Sequence, residues 1–307
     1  MHLYIFGANG QLGTALRRTT PASSSVTTFS REDWDMRGPI PWTREQRAQI
    51  FATPGVIINC AAHTDVEGEE SPEDFAAGFR LNTVVPGLIA ALGVECGLET
   101  IHISTDYVYA GYPPSEVKLS TSGAPAPAVA PINMYGLSKL WGEQNFLRNG
   151  GTSVVRTSWL YSGPENPESR DIANTFNRLY PKDLRVVSDQ VGSPTNAFDL
   201  ARALWEYAAQ GPTEVKFDAH NEGETTWVDF AGEIYRFRSE HDTQSQDSQS
   251  PDSQSPDSGA TAGTITPVSS AEYGAKARRP LYNVTPNRKM ILPPWQESLH
   301  RALGAKL

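Results

Sequence analysis

The chain has 307 residues and a formal charge of −9, and 38% of its residues are apolar. This length fits one large domain or two coupled domains with a substantial hydrophobic core. No stretch approaches about 18 uninterrupted apolar residues, so we expect no membrane-spanning helix. The acidic balance argues against a nucleic-acid-binding protein, which would present a basic face.

The first residues and the two cysteines bear on the compartment. The segment from Met1 to Phe6 has no basic region and no small-residue cleavage site, so it predicts a core strand rather than a secretory signal. Cys60 and Cys96 lack metal-ligand spacing and predict neither a disulfide framework nor a zinc site. We therefore expect a cytoplasmic protein.

Short apolar runs alternate with helical patterns through the first half of the chain. We predict strands at 3–6, 26–29, 56–59, 100–104 and 153–157, and helices at 11–18, 43–51, 72–96 and 135–147. Strands that alternate with helices form crossover units. Strand segments that are apolar at every position are typical of strands buried on both faces of a sheet. The pattern predicts an α/β fold with a Rossmann-like, doubly wound parallel sheet.

The second half has shorter elements, with helices predicted at 198–209 and from Trp227 onward. We expect an NAD(P)-binding domain over 1–158, completed by returning segments, and a smaller C-terminal substrate-binding lobe over 159–307. Residues 239–258 have five acids, no Lys or Arg, and no aliphatic or aromatic side chain. This composition predicts a disordered insert at 239–264. A Pro/Ala/Ser-rich loop is predicted at 113–131.

A glycine-rich turn follows the first predicted strand and opens the first predicted helix. Gly7, Gly10 and Gly13 give G-x-x-G-x-x-G, a variant of the dinucleotide fingerprint. Glycines there allow a tight turn and a close backbone approach to a pyrophosphate, while the helix N-terminus favours negative charge. The turn therefore predicts a dinucleotide site.

The end of the second strand indicates which dinucleotide binds. An NAD-selective enzyme places Asp or Glu there to bond the ribose 2′-hydroxyl. Here the strand ends in Ser30 and Arg31, which can bond a 2′-phosphate. We predict NADPH, with NADH as the alternative; Arg31 could also be only a solvated loop charge.

Three residues suggest a reducing site. Tyr135 and Lys139 are spaced i and i+4 on a predicted helix and so share one face, and Thr105 ends the fourth predicted strand. An ammonium near a phenol should lower the tyrosine pKa from about 10, which suits proton donation to a carbonyl oxygen. The Thr105 hydroxyl could bond the same oxygen.

The chain resembles the extended short-chain dehydrogenase/reductases and, among them, the dTDP-4-dehydrorhamnose reductase family. The matching stretches are G-A-N-G-Q-L-G at 7, I-N-C-A-A-H-T-D-V-E at 58, S-T-D-Y-V-Y at 104, Y-G-L-S-K at 135, V-R-T-S-W-L-Y at 155, V-V-S-D-Q-V-G-S-P-T at 186, T-T-W-V-D-F at 225 and R-R-P-L-Y-N at 278. They run in order along nearly the whole chain except the insert. The resemblance implies NADPH-dependent reduction of the C4 keto group of dTDP-4-dehydro-L-rhamnose.

The resemblance also implies roles for particular residues. Tyr135 would donate the proton, with Thr105 beside it and Lys139 also holding the nicotinamide ribose. The implied cofactor contacts are Gly10, Gln11, Leu12, Ala61, Ala62 and His63. The implied substrate contacts are Val66, Asp106, Tyr107 and Trp159, although Trp159 could instead be a core residue of the second lobe.

Some members of the family bind Mg²⁺ through acids on the first helix, where this chain has Ala15 followed by Arg17 and Arg18. We therefore predict no metal, and a monomer or weak homodimer without nucleic-acid or membrane partners. Two alternatives remain: an epimerase or dehydratase acting on another nucleotide sugar, or a non-catalytic module resembling the regulatory subunits of methionine adenosyltransferase.

Overall fold

The computed structural model describes residues 1–111, 129–247, 263–285 and 289–304. Its strands are β1 (His2–Phe6), β2 (Ser25–Phe29), β3 (Val56–Asn59), β4 (Glu99–Thr105), β5 (Ser153–Thr157), β6 (Leu160–Tyr161), β7 (Leu184–Val187), β8 (Val191–Gly192), β9 (Thr195–Asn196), β10 (Lys216–Asp218), β11 (Asn221–Glu222), β12 (Thr225–Thr226), β13 (Ile265–Val268), β14 (Tyr282–Asn283) and β15 (Leu292–Pro294). Its α-helices are α1 (Gln11–Arg18), α2 (Arg44–Ile50), α3 (Pro72–Phe79), α4 (Val85–Cys96), α5 (Met134–Arg148), α6 (Ile172–Leu179), α7 (Ala197–Gln210), α8 (Trp227–Asp247), α9 (Ser270–Tyr273) and α10 (Trp295–Leu303).

Six parallel strands form the main sheet in the order β10-β5-β4-β3-β1-β2. The chain winds from β1 to β2 on one side and then resumes with β3 on the other, so the loops after β1 and β3 diverge. Such a switch point leaves a crevice at the carboxyl edge of the sheet. The predicted doubly wound α/β fold is confirmed, and the five predicted strands of the first half differ from the observed ones by at most one residue at each end.

Both faces of the sheet are covered. In β1, Leu3 and Ile5 pack with Leu204 of α7, while Tyr4 and Phe6 on the opposite face pack into the cluster that contains Ile89 of α4. These four side chains of β1 are fully buried. This explains why the strand is apolar throughout, because each of its faces meets a helical layer.

Among the described residues, one helical segment, Pro72–Cys96, is long and apolar enough to cross a membrane, judged by length and composition alone. Our expectation of no such helix counted only uninterrupted apolar runs. The segment passes from α3 to α4 through a π-helical turn at Arg80–Val84, and half of its 18-residue apolar window is buried. Ile89 and Leu92 pack against the sheet in one hydrophobic cluster with Tyr4 and Phe6.

The C-terminal half contributes both to the main sheet and to a second hydrophobic core. Helix α7 packs on α1, where Trp205 Nε1 donates to the Leu16 carbonyl at 3.0 Å, and β10 then joins β5 as the sixth strand. The remaining elements build a second core around Phe176, Phe230 and Leu299. The prediction had included returning segments; its domain boundary at residue 158 stays a prediction.

The predicted disordered insert at 239–264 is wrong at its N-terminal end, because α8 continues to Asp247. Arg236 of this helix pairs with Glu233 and Glu240, and an established helix gains one backbone hydrogen bond for each residue added. Thr264 is also placed, since its carbonyl accepts from the Leu184 amide. Residues 248–262, and most of the predicted loop at 113–131, lie outside the described residues.

Candidate active site

The glycine turn lies between β1 and α1, at the switch point. Gly7 has φ +77°, and a Cβ there would lie 2.6 Å from the Ala61 nitrogen. A Cβ on Gly13 would lie 2.4 Å from the Gly7 carbonyl oxygen. Gly10 is different, because a Cβ there meets only the Gly7 oxygen, at 3.4 Å. Gly7 and Gly13 thus allow close packing, while Gly10 keeps open the space beside the turn.

The N-terminus of α1 is available to an anion. Gly10 is its N-cap residue; no side chain of the described residues caps the helix, and its first turn contains no acid. The amides of Gln11 and Leu12 therefore lack helical partners and lie at the positive end of the helix dipole. Both residues border the cleft described below.

A pocket of about 270 Å³ lies beside the turn, and we call it the adenosine pocket after the part of a dinucleotide that we expect there. Gly7, Gly10, Ala61 and Ala62 border it, as do the predicted 2′-phosphate ligands Ser30 and Arg31. The Ser30 amide and hydroxyl both donate to Asp33 Oδ2, at 2.7 and 3.0 Å. Arg37, which sequence reasoning missed, borders the pocket too and pairs with Asp35 at 2.6 Å.

His63 is placed differently from Ala61 and Ala62. Its Nδ1 lies 2.9 Å from Glu69 Oε1, and it does not border either the adenosine pocket or the neighbouring cleft. Its backbone amide donates to Asn82 Oδ1 at 2.9 Å. The side chain thus fixes the loop after β3, and its predicted contact with the cofactor stays a prediction.

A second cleft, of about 570 Å³, continues from the turn along the carboxyl ends of β3, β4 and β5. It shares Gly10, Cys60 and Ala62 with the adenosine pocket. The predicted reducing residues Thr105, Tyr135 and Lys139 all border it. One continuous path therefore runs from the adenosine pocket, past the turn, to these three side chains.

Helix α5 presents Tyr135 and Lys139 to this cleft. Asn133 caps the helix by accepting from the Gly136 amide at 2.7 Å. The Thr105 hydroxyl donates to Asp106 Oδ1 at 3.1 Å and lies near enough to Tyr135 to lower the pKa of its phenol. Lys139 is almost fully buried, and its Nζ donates to the Ile103 carbonyl of β4 at 2.8 Å.

The pKa of Tyr135 is raised, contrary to our expectation that Lys139 would lower it. Burial raises the pKa of Tyr135 above its usual value, and the nearby acids Asp106 and Glu69 act in the same direction; the neighbouring Thr105 hydroxyl opposes them. Burial lowers the pKa of Lys139 to about 8, against the attraction of Glu143 and Glu69. The phenol is therefore protonated at neutral pH, because desolvation disfavours its anion.

All four predicted substrate contacts border the cleft: Val66, Asp106, Tyr107 and Trp159. Burial raises the pKa of Asp106 to about 7, and Asn283 Nδ2 donates to its Oδ2 at 2.8 Å. The ring of Tyr107 meets that of Tyr135 edge-on, with centroids 5.8 Å apart. Sequence reasoning quoted the stretch that ends at Asn283 but gave that residue no role.

Two further features were missed. Glu69 is fully buried behind α5, and no sequence signal marked it. Trp227 borders the cleft beside Trp159 and belongs to the quoted T-T-W-V-D-F stretch. Among the described residues, no group of three or more His, Cys, Asp or Glu side chains is arranged to hold a metal ion.

One helix presents a buried lysine and a phenol to a cleft that begins at the glycine turn. This arrangement assigns the protein to the short-chain dehydrogenase/reductase class of oxidoreductases. The chain matches the family described as RmlD substrate binding domain over residues 1–306, and it belongs to this family. The resemblance and the fold class predicted from the motifs are both confirmed.

Relatives and solved structures agree with this assignment. The dTDP-4-dehydrorhamnose reductase of Mycobacterium tuberculosis H37Rv is 32% identical, over 99% of this chain and 92% of the relative. The Escherichia coli enzyme of the same name is 30% identical, over 99% and 97%. The Bacillus anthracis dTDP-4-dehydrorhamnose reductase in complex with NADP has a TM-score of 0.78 and 27% identity, covering 98% of both chains. The Clostridium acetobutylicum ortholog has a TM-score of 0.77 and 29% identity, covering 99% and 98%.

Proposed function

We propose that the protein uses NADPH to reduce the C4 keto group of dTDP-4-dehydro-L-rhamnose to the alcohol of dTDP-L-rhamnose. The observation that carries this proposal is the position of the Tyr135 phenol, which borders the same cleft as Thr105 and Lys139, and this cleft opens at the glycine turn. Relatives that match over nearly their whole length have the name of this reductase, and one related structure holds NADP.

The residues beside the turn fit a bound dinucleotide. Gly10 leaves free the space that a side chain would fill, and the α1 amides can bond a pyrophosphate. Ser30, Arg31 and Arg37 border the adenosine pocket and can bond a 2′-phosphate, which favours NADPH over NADH. When bound, this cofactor supplies the hydride that C4 accepts.

The chain supplies the proton and the orientation. Tyr135 keeps its proton at neutral pH and donates it to O4 as negative charge develops there. Thr105 borders the cleft with the phenol and bonds the same substrate oxygen, and Lys139 binds the nicotinamide ribose. Val66, Asp106, Tyr107 and Trp159 hold the nucleotide sugar.

The same proposal covers partners and compartment. The substrate is a small nucleotide sugar, and we propose a cytoplasmic monomer or weak homodimer that needs neither metal, nucleic acid nor membrane. The alternatives in our sequence analysis are less well supported, because the relatives named above are reductases rather than epimerases or regulatory subunits.

The experiment is to incubate the purified protein with NADPH and a panel of nucleotide 4-ketosugars, and to follow the nicotinamide absorbance. We expect the fastest loss with dTDP-4-dehydro-L-rhamnose. Tyr135→Phe should reduce turnover by about 10²-fold or more but leave NADPH binding nearly intact; Tyr273→Phe, at an exposed tyrosine, is the control. Normal turnover by Tyr135→Phe would exclude this donor, and tightly retained NAD with no net reduction would indicate an epimerase.

A further inference from the structure

Two of the quoted sequence stretches have no role in the proposed reaction. They are D-Q-V-G-S-P-T at 189–195 and the T-T-W at 225–227. The structure pairs them, because β8 and β12 are antiparallel with Val191 opposite Thr226. Gln190 precedes β8 and Trp227 follows β12, so this register brings the two residues side by side.

A chain of hydrogen bonds holds the Trp227 indole in place. Its Nε1 donates to Gln190 Oε1 at 3.2 Å, and Gln190 Nε2 donates to Ser270 Oγ at 2.9 Å. The Ser270 hydroxyl donates in turn to Asp189 Oδ1 at 2.6 Å. Because its NH₂ group is engaged by Ser270, the buried amide of Gln190 directs its oxygen towards Trp227.

The same segment also fixes Trp159. The Thr195 amide donates to the Trp159 carbonyl at 3.2 Å. A Cβ on Gly192 would lie 2.6 Å from Trp159 Cε2, so only glycine leaves room for the indole. Trp159 has φ +41°, a conformation that bulky residues rarely adopt and that the surrounding contacts must hold.

The two indoles form one aromatic wall. Their ring centroids are 3.5 Å apart and their planes differ by 9°. Both are only partly buried, and both border the cleft that contains Tyr135 and Thr105. A flat aromatic surface favours the C–H face of a sugar or the face of a base, since it offers large apolar contact at little entropic cost.

We propose that Trp227 is a second aromatic contact for the nucleotide sugar and that Gln190 is its positioning residue. This inference rests on the proposed function and adds a specificity element to it. The segment 189–195 then supports the aromatic wall of the substrate cleft rather than the chemistry.

The kinetic test compares Trp227→Leu, Trp227→Phe and Gln190→Leu with the wild type. Trp227→Leu should raise the KM for dTDP-4-dehydro-L-rhamnose about tenfold, while kcat and the KM for NADPH stay within about twofold. Trp227→Phe should restore most of the loss, and Gln190→Leu should raise the same KM to a smaller extent. Trp141→Phe, at an exposed indole that does not border the cleft, is the matched control.

A spectroscopic test separates positioning from a general loss of structure. Two parallel indoles at this distance couple their transitions and give a paired circular-dichroism signal, which Trp227→Leu should abolish and Gln190→Leu should weaken while unfolding stays cooperative. Trp141→Phe should leave the signal intact.

The outcomes separate the two proposals. If the wild type reduces the keto sugar but its KM is unchanged in Trp227→Leu and Trp227→Phe, the inference is wrong and the proposed function stands. An increase in the KM for NADPH instead would also overturn it, as would an unchanged dichroism signal in Gln190→Leu. If the wild type reduces no 4-ketosugar, the proposed function fails, and the inference fails with it.

Discussion

The hydroxyl of Ser138 donates a hydrogen bond to the carboxylate of Glu69 at 2.9 Å, in the turn of α5 between Tyr135 and Lys139. His63 and Asn82 bond the same carboxylate, each at 2.9 Å. Glu69 thereby joins the loop after β3, the π-helical turn and the helix of the proposed proton donor. Its charge raises the pKa of both Tyr135 and Lys139.

Glu69→Gln should therefore change the pH dependence of turnover. Without the negative charge, the pKa values of Lys139 and Tyr135 both fall, and Lys139, with its pKa of about 8, is the group that loses its proton first as the pH rises. We expect the alkaline limb of the kcat profile to move down by about one pH unit. The free energy of unfolding should fall by about 1–3 kcal/mol, because buried donors lose their charged acceptor. Glu73→Gln, on the exposed side of α3, is the control; an unchanged alkaline limb in Glu69→Gln would contradict the electrostatic role.

Asp106 predicts a dependence of stability on pH. Its folded-state pKa of about 7 exceeds the value of about 3.9 for an unfolded aspartate. The folded protein holds the proton more tightly, so this contribution is complete below about pH 4 and is lost as the pH rises through about 7. Between these limits the wild type should lose about 2–4 kcal/mol relative to Asp106→Asn, which cannot titrate.

Urea unfolding at pH 4.5 and pH 8, with an Asp74→Asn control on the exposed side of α3, measures this difference. If Asp106→Asn and the wild type lose stability in parallel, the carboxyl is ionised throughout that range and the prediction is wrong.

The glycine turn predicts opposite consequences at two positions. Gly7→Ala places a Cβ against the backbone at positive φ, so it should lower the free energy of unfolding by about 1–3 kcal/mol. Gly10→Ala meets no such obstacle and should fold normally, but its methyl group enters the space of the pyrophosphate. We expect its Kd for NADPH to rise about tenfold. Urea unfolding and NADPH titration of both variants would show whether the loss of stability is confined to Gly7→Ala and the loss of NADPH affinity to Gly10→Ala. A Gly7→Ala variant as stable as the wild type would refute the packing argument.

Arg31 and Arg37 are expected to select the cofactor. Arg31→Ala or Arg37→Ala should raise the KM for NADPH about tenfold and leave the KM for NADH nearly unchanged, since only NADPH has the 2′-phosphate. Arg44→Ala, at the exposed start of α2, is the control. Equal effects on both cofactors would mean that these cations do not contact the 2′-phosphate.

The fold was predictable where the local hydrophobic pattern of a segment matches its burial in the core. β1 is apolar on both faces because both are covered, and the glycines that follow it have few structural alternatives. Strand β10 was missed because its three residues, Lys216, Phe217 and Asp218, show no apolar run. Only its pairing with β5 makes this segment a strand.

The site was predictable where residues lie close in sequence, as Tyr135 and Lys139 do. The contacts of Asp106 with Asn283 and of Trp227 with Gln190 join residues far apart in the chain. Contacts between residues so far apart in the chain cannot be predicted from their spacing in the sequence. The pKa of Tyr135 was misjudged for a related reason: i,i+4 spacing indicates that Lys139 is near, whereas burial depends on the whole fold.

The position of β10 has a consequence for how the protein is made. A nascent chain that ends at residue 158 has β5 as an open sheet edge and lacks the α7 surface that covers α1. The segment up to residue 158 is then not a self-sufficient folding unit, and synthesis must reach at least residue 218 before the six-stranded sheet is complete. An N-terminal fragment that ends at residue 158 should aggregate through the exposed edge of β5, and it should stay soluble only when it is expressed together with the rest of the chain.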